Sequence, residues 1–320
     1  MQVAEKSSLS AIPGPNAPGL ERRMLGGQKK IGRNISFRSK DQSRCPVCNH
    51  TFTREQLLTG GGRLIAGDLS VELRRGYNES RKFGRVIPLI YPVVVCPQCL
   101  FSSFQNDFNT VDAGALDGLK RTTMNRRTGI EKIVGPIDYN EDRHLVHGAA
   151  SYLLAIDCYQ HRGVDVAPTP KKAICSMRAA WLFGDMNDEF PNMGFEKIRD
   201  FMYLKAVQYY RPVLEIMSRG TEPHDQFTSL LGPDTDKNWG FDGVIYLNGY
   251  LTYKYIDAIT KDQAKQIKYL DEAKRYLGKL YGMGKSSKSK PSIIIDLSKD
   301  LYDEINVRLQ ELTGQGEAVS

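Results

Sequence analysis

The sequence predicts an α+β protein in which a small β-rich module stands in front of a mainly α-helical body. Three observations carry that reading. Two matched spacings, Cys45-Pro-Val-Cys48 and Cys96-Pro-Gln-Cys99, bracket a stretch of short segments rich in β-branched residues. Beyond about residue 138 the hydrophobic residues recur at helical spacing. With 320 residues, 41% of them hydrophobic and 9% aromatic, the chain is long enough for one small and one larger core.

Residues 1–44 are rich in Ser, Gly, Pro, Asn and Lys and show no sustained period, so they bury too little apolar surface to offset the entropy of ordering. They are expected to form a disordered basic tail, with nine Lys and Arg against three acidic side chains. Residues 45–100 add seven basic and four acidic groups, so most of the net charge of +7 lies in the front of the chain. A basic front half of this kind can meet nucleic acid or another acidic surface. No apolar run reaches the roughly 18–20 residues that span a bilayer, and the first twenty residues lack the apolar stretch of a secretory signal. A cytoplasmic protein without membrane association is expected.

Residues 45–110 read as the β-rich module. The segments LSVELRR and RVIPLIYPVVV favour strand, and Pro88 and Pro92 confine the second to an edge or a broken ladder. Two residues between cysteines let both thiolates turn toward one ion, and two such knuckles supply the four sulfurs that tetrahedral Zn2+ prefers. Cys45, Cys48, Cys96 and Cys99 are therefore expected to hold one structural zinc in a zinc-ribbon-like arrangement. The 47 residues between Cys48 and Cys96 must fold back for the pairs to meet. A mononuclear iron site would use the same ligands, whereas a thiol–disulfide role would need only one reactive pair. His50 is expected just outside the ligand set. Cys158 and Cys175 sit in helical patterns and read as buried hydrophobes.

Residues 138–314 read as consecutive helices. His144 to Gln160 gathers Leu145, Ala149, Tyr152, Leu153, Ile156 and Tyr159 on one face. Thr169 and Pro170 open a second helix with Ala173, Met177, Ala180 and Trp181 inward. Ile198, Phe201, Met202 and Tyr209 mark a third, and Asp242 is expected to cap a fourth. Thr260 and Gln263 form a capping box ahead of Ile267, Leu270, Leu277 and Leu280, with Gly282 as the stop. After a GKSSKSK linker, Pro291 starts the last helix. Amphipathic helices of similar length, with small residues where they approach, resemble an array of tetratricopeptide-like hairpins.

Between the third and fourth helices, Asp234, Asp236, Asn238 and Asp242 fall at alternate positions of a calcium-loop pattern, but Trp239 replaces its Gly and Ile245 its bidentate Glu. The segment reads as a turn, and Asp234, Asp236, Lys237 and Asn238 as a possible recognition loop. HExxH, GxSxG and phosphate-loop motifs do not occur. His144 and His147 read as surface or core residues rather than ligands.

CPVCNHTF, IPLIYPVVVCPQCLFSSFQNDF, SMRAAWLFGDMN and LGPDTDKNWGFDGVIYLNGYLTYKY together resemble the bacterial family called domain of unknown function 2225, over roughly residues 45–282. The resemblance implies a paired-CPxC module before a helical, repeat-like body and carries no established activity. It also implies Gly after each knuckle, where this chain has Asn49 and Leu100; glycine would ease the positive φ of a knuckle turn. The expected function is a non-catalytic zinc-binding scaffold or adaptor that recognises a protein partner through the helices. The alternatives are a nucleic-acid-associated factor using the basic front half, and an enzyme with its site in the Asp234 to Asp242 loop.

Overall fold

A computed structural model describes residues 9, 12–14, 32–232, 234–284 and 292–314. The architecture is α+β. Six strands form three separate antiparallel pairs: β1 (Ser36–Arg44) with β2 (Thr51–Leu57), β3 (Ile65–Leu69) with β4 (Arg75–Asn78), and β5 (Val93–Val95) with β6 (Ser102–Phe104). The helices are α1 (Gln105–Phe108), α2 (Ala113–Arg121), α3 (Thr123–Val134), α4 (Leu145–Tyr159), α5 (Pro168–Glu189), α6 (Phe195–Arg219), α7 (Gly240–Lys254), α8 (Ile256–Ile259), α9 (Gln263–Gly284) and α10 (Ser292–Thr313).

Each cysteine knuckle is the turn of a hairpin. Arg44 pairs with Thr51 across the first and Val95 with Ser102 across the second. Residues 36–44, expected in the tail, therefore belong to the fold: once β2 leaves the first knuckle, β1 is the strand that satisfies its backbone groups. Of the rest of the expected tail, residues 9, 12–14 and 32–35 are described, with Leu9 in the main core and Ile35 buried with Phe83 and Val86, and the other residues lie outside the described ones. The segment LSVELRR, expected as strand, is instead mostly the turn between β3 and β4, where Leu73 adopts φ 61°. In RVIPLIYPVVV only Val93–Val95 is strand, because the prolines break the ladder and Pro88–Ile90 winds into a short 3-10 turn.

α4 was expected to be amphipathic, yet every residue of it is buried. It packs against α5 on one side and against α3, β5, β6 and the Pro88–Ile90 turn on the others. Gly148 permits that last contact, since a Cβ there would lie 2.9 Å from the Ile90 Cα. α5 continues onto α6, α7 bridges α6 and α9, and α10 lies along α9. Helix starts shift from expectation by a residue or two. α5 begins at Pro168, with Glu222 accepting the Thr169 N–H at 3.0 Å; α7 begins at Gly240, leaving Asp242 in its first turn; Asp262 rather than Thr260 accepts the Lys265 N–H at 3.2 Å ahead of α9. α9 runs past Gly282 to Gly284, and the linker with Pro291 lies outside the described residues.

Helices α2 and α3 were not anticipated; 113–134 is polar, and 123–134 is weakly periodic. The main core is continuous from Leu73, Ile87, Leu89, Ile90, Val93 and Val95 into the helices. A smaller apolar cluster, with Phe52, Phe101, Phe108, Leu119 and Cys158, surrounds the knuckle cysteines. Among the described residues no helix is long and apolar enough to cross a membrane.

Candidate metal centre

The two hairpin tips bring Cys45, Cys48, Cys96 and Cys99 together so that all four sulfurs lie within 4.8 Å of one another. Local sequence builds each half the same way. The Asn49 N–H reaches the Cys45 carbonyl and the Cys45 N–H reaches the His50 carbonyl; Leu100, Cys96 and Phe101 repeat the pattern, all four bonds being 2.9 Å. Closing these turns requires a left-handed residue, and Asn49 (φ 63°) and Leu100 (φ 57°) supply it without glycine. Asparagine tolerates that region readily. Leucine does not, and it is held there because its side chain is 1% exposed in the main core.

The sulfurs of Cys45 and Cys99, and of Cys48 and Cys96, are 3.6 Å apart. Tetrahedral Zn–S bonds of about 2.3 Å place sulfurs about 3.8 Å apart, so the donor set fits such an ion. Its electrostatics point the same way. Contact with the Cys45 sulfur pushes Cys96 up to about 12 and drives Cys99 upward, while hydrogen bonds from Cys96 and Cys99 pull Cys45 down to about 2. Four thiolates this close need a cation among them before all can be ionised. The cluster can hold a metal ion, and among the described residues it is the one group of this kind. His50 contributes only its carbonyl and stacks on Phe52.

Helix α3 braces the second knuckle. The wholly buried Arg126 guanidinium donates to the carbonyls of Cys99 (3.3 Å) and Leu119 (2.7 Å) and to Thr122 (2.6 Å), and Arg127 donates to the Gln98 carbonyl (2.8 Å). Asp157, 4.0 Å from Arg126, is pushed up to about 6 by burial despite that neighbour. Cys158 and Cys175 are buried thiols, each pushed up to about 12 by burial, which makes them poor nucleophiles. His147 is buried in the core, and burial lowers it to about 4.

The Asp234–Asn238 loop lies beside β4, between the 224–230 turns and α7. Asp234 is buried and accepts the main-chain N–H groups of Arg75 (2.8 Å) and Thr235 (2.5 Å). Asp236 pairs with the Arg75 side chain at 3.0 Å. Asn238 bridges the Thr228 carbonyl and the Gly240 N–H, and the Lys237 ammonium stands 4.7 Å from the Trp239 ring. The loop is thus joined to β4 and also forms one wall of a cavity of about 580 Å3 that reaches Asp107, Lys171 and Arg178.

Sequence reasoning missed a second anchor. Glu72, at the tip of the β3–β4 hairpin, accepts from Trp181 (2.5 Å), Tyr203 (2.6 Å), Lys254 (2.8 Å) and Tyr250 (3.3 Å). Burial raises its carboxyl, but the bonds from Lys254, Tyr203 and Trp181 outweigh burial and hold it below its ordinary value. Nearby, Arg74 pairs with Asp185 at 2.5 Å and Tyr246 donates to the Val71 carbonyl at 2.7 Å. A glutamate inside an apolar VEL triplet was the available signal.

Residues 39–305 match the family described as "Uncharacterized protein conserved in bacteria (DUF2225)", and the chain belongs to it. It is 38% identical over 280 residues to a Borreliella burgdorferi protein described as "Uncharacterized protein", an alignment covering 88% of this chain and 99% of that one. No solved structure matches.

Proposed function

We propose that the protein is a non-catalytic zinc-binding adaptor that recognises a protein partner through its helices. Cys45, Cys48, Cys96 and Cys99 would hold one Zn2+, tying the β1–β2 and β5–β6 hairpins to each other and, through Arg126 and Arg127, to α3. The observation that carries the structural role is the closed set of four sulfurs inside an apolar cluster, which leaves no coordination position for a substrate.

A groove of about 590 Å3 between α6, α7 and α9 supports the recognition role. Asn248 and Thr252, one turn apart on α7, line it, and their side chains hydrogen-bond to no other described residue. Arg211 lies 4.2 Å from the Tyr269 ring in the same groove. Amide and guanidinium groups facing such a groove suit an extended peptide, whose backbone and acidic groups need such donors. The succession of packed helices from α4 to α10 favours reading the body as tetratricopeptide-like.

Elemental analysis of protein purified without chelators should give close to one zinc per chain; iron, or no metal, overturns the zinc assignment. The double variant Arg211→Ala, Asn248→Ala should keep its melting temperature and lose a partner that the wild type co-purifies. Equal recovery of that partner overturns the groove.

A second reading rests on the β1–β2 ribbon. It exposes Lys40 and Arg44, and Phe37 is 44% exposed beside them. Basic and aromatic groups on one ribbon suit nucleic acid, and binding through them would fall steeply with salt.

A further inference from the structure

We propose that a basic patch around the Phe83 ring is the principal contact for single-stranded nucleic acid. This goes beyond the adaptor reading; it rests on the second reading for its class of partner and places the main contact away from Lys40 and Arg44.

The patch stands on a third apolar cluster, Ile35, Phe83 and Val86, with Leu57 and Leu64 packed against it. The 80–84 loop beside that cluster is firmly closed. Ser80 and Gly84 exchange main-chain bonds of 3.1 and 2.7 Å, and the Ser80 hydroxyl accepts the N–H groups of Lys82 (3.2 Å) and Phe83 (3.3 Å). Arg81 and Lys82 are thereby held at an exposed tip. The chain ahead of β1 lies against the same loop, the Gly32 N–H meeting the Arg85 carbonyl at 2.9 Å. Arg63 ties in from the other side, donating to the carbonyls of Asn34 (2.9 Å) and Gly60 (2.6 Å).

These contacts gather four cations. The Arg63 guanidinium and the Lys82 ammonium stand 4.5 and 5.1 Å from the centre of the one Phe83 ring, so the two like charges lie within about 10 Å of each other. Arg33 and Arg81 are exposed beside them, and neither side chain has a hydrogen-bond or ion-pair partner among the described residues. Glu79, two residues before Arg81, is exposed and pairs with none of the four. Arg85 is excluded from the count because Glu189 holds it at 2.6 Å. Like charges crowded without partners repel one another and attract a polyanion.

The surroundings select the polyanion. Next to Arg63, a Cβ added at Gly60 or Gly62 would meet nothing, so a sugar–phosphate backbone can approach the main chain there. From the patch, β1 runs about 26 Å to Arg44, exposing Phe37 and Lys40, with Asp41 as its one carboxylate. Cations over that length outrun a single phosphate and suit a chain of them. An exposed aromatic ring among them gives a base a face to stack on, which favours single-stranded nucleic acid over an anionic membrane or an acidic peptide.

The test is fluorescence anisotropy of labelled oligo(dT) and oligo(rU), each about 20 nucleotides, titrated with the full chain. Saturable binding of at least one is expected at low ionic strength, falling steeply with added salt. Arg81→Ala with Lys82→Ala should weaken it about tenfold and flatten the salt dependence by about two phosphate contacts. Arg81→Lys with Lys82→Arg should retain it, as should the remote pair Lys261→Ala, Lys268→Ala, which removes the same charge. Both loop positions are exposed, and an unchanged melting temperature separates lost contact from lost fold. Full binding by the Arg81, Lys82 alanine variant, with loss in Lys40→Ala, Arg44→Ala, overturns this proposal and leaves the ribbon reading standing. An equal loss in the remote pair, or capture on phosphatidylserine vesicles without oligonucleotide binding, overturns it. No saturable binding of either oligonucleotide overturns it together with the ribbon reading and leaves the adaptor reading untouched.

Discussion

The knuckle hairpins and the β3–β4 hairpin solve one problem by opposite chemistry. Two-stranded ribbons are marginal by themselves in water, so each must be pinned to something larger. β1–β2 and β5–β6 are pinned at their tips by four sulfurs suited to a metal ion. β3–β4 has no cysteine; its tip enters the helical body, where Leu73 joins the main core and Glu72 meets four donors from α5, α6 and α7. Side-chain bonding together with apolar packing, and without cysteine, can therefore anchor a ribbon here, provided a large body surrounds the tip. The knuckle cysteines sit in a smaller cluster, although Val93, Val95, Leu100 and Phe104 of the β5–β6 hairpin also reach the main core, so a metal held by the sulfurs would matter most for β1–β2.

The largest effect should come from removing the sulfur anchor. Cys96→Ser should lose stoichiometric metal and unravel the β1–β2 and β5–β6 hairpins, because metal binding at such a site is folding free energy. Hydrogen exchange should show protection lost at residues 36–57 and 93–104 while the amides of 65–78 stay protected. Loss of protection across all three hairpins would mean that the anchors are not independent.

Next comes the polar anchor. Glu72→Ala strands the Trp181 N–H and the Tyr203 hydroxyl in the core, and about 3 kcal/mol of stability should go in chemical denaturation with metal content unchanged. Its pH dependence has a definite sign. The Glu72 carboxyl is held below its ordinary 4.5, so its contribution is complete above that pH and is lost as pH falls through the lower folded value. The wild type should destabilise on acidification below about 4.5 more steeply than Glu72→Gln. Parallel acid limbs in the two proteins would show that Glu72 is not the titrating anchor.

The smallest effects separate the two aspartates that tie β4 to the 234–238 loop. Asp234 is buried and accepts two main-chain N–H groups, so Asp234→Ala should cost about 2 kcal/mol. Asp236 makes a partly exposed ion pair, and Asp236→Ala should cost no more than about 0.5 kcal/mol. Equal losses in thermal unfolding would remove the distinction between them.

The sequence by itself determined what is written within a few residues. A C-x2-C turn is a local object, so both cysteine pairs were legible as a group that could hold a metal ion, as were the helices of 145–313 whose apolar stripes repeat over several turns. Helix α3 was not legible, because its inward groups include Arg126, which reads as surface until Thr122, Leu119 and Cys99 are placed around it. Only the tertiary structure decided that LSVELRR is a turn, that β1 belongs to the fold, and that Asp234 is buried. It also decided which charges meet: Glu72 finds Lys254 182 residues away, Arg75 finds Asp236 161 away, and Lys171 finds Asp107 64 away. A charged side chain in a sequence carries no mark of its partner, since the burial that makes pairing necessary is created only when distant segments pack.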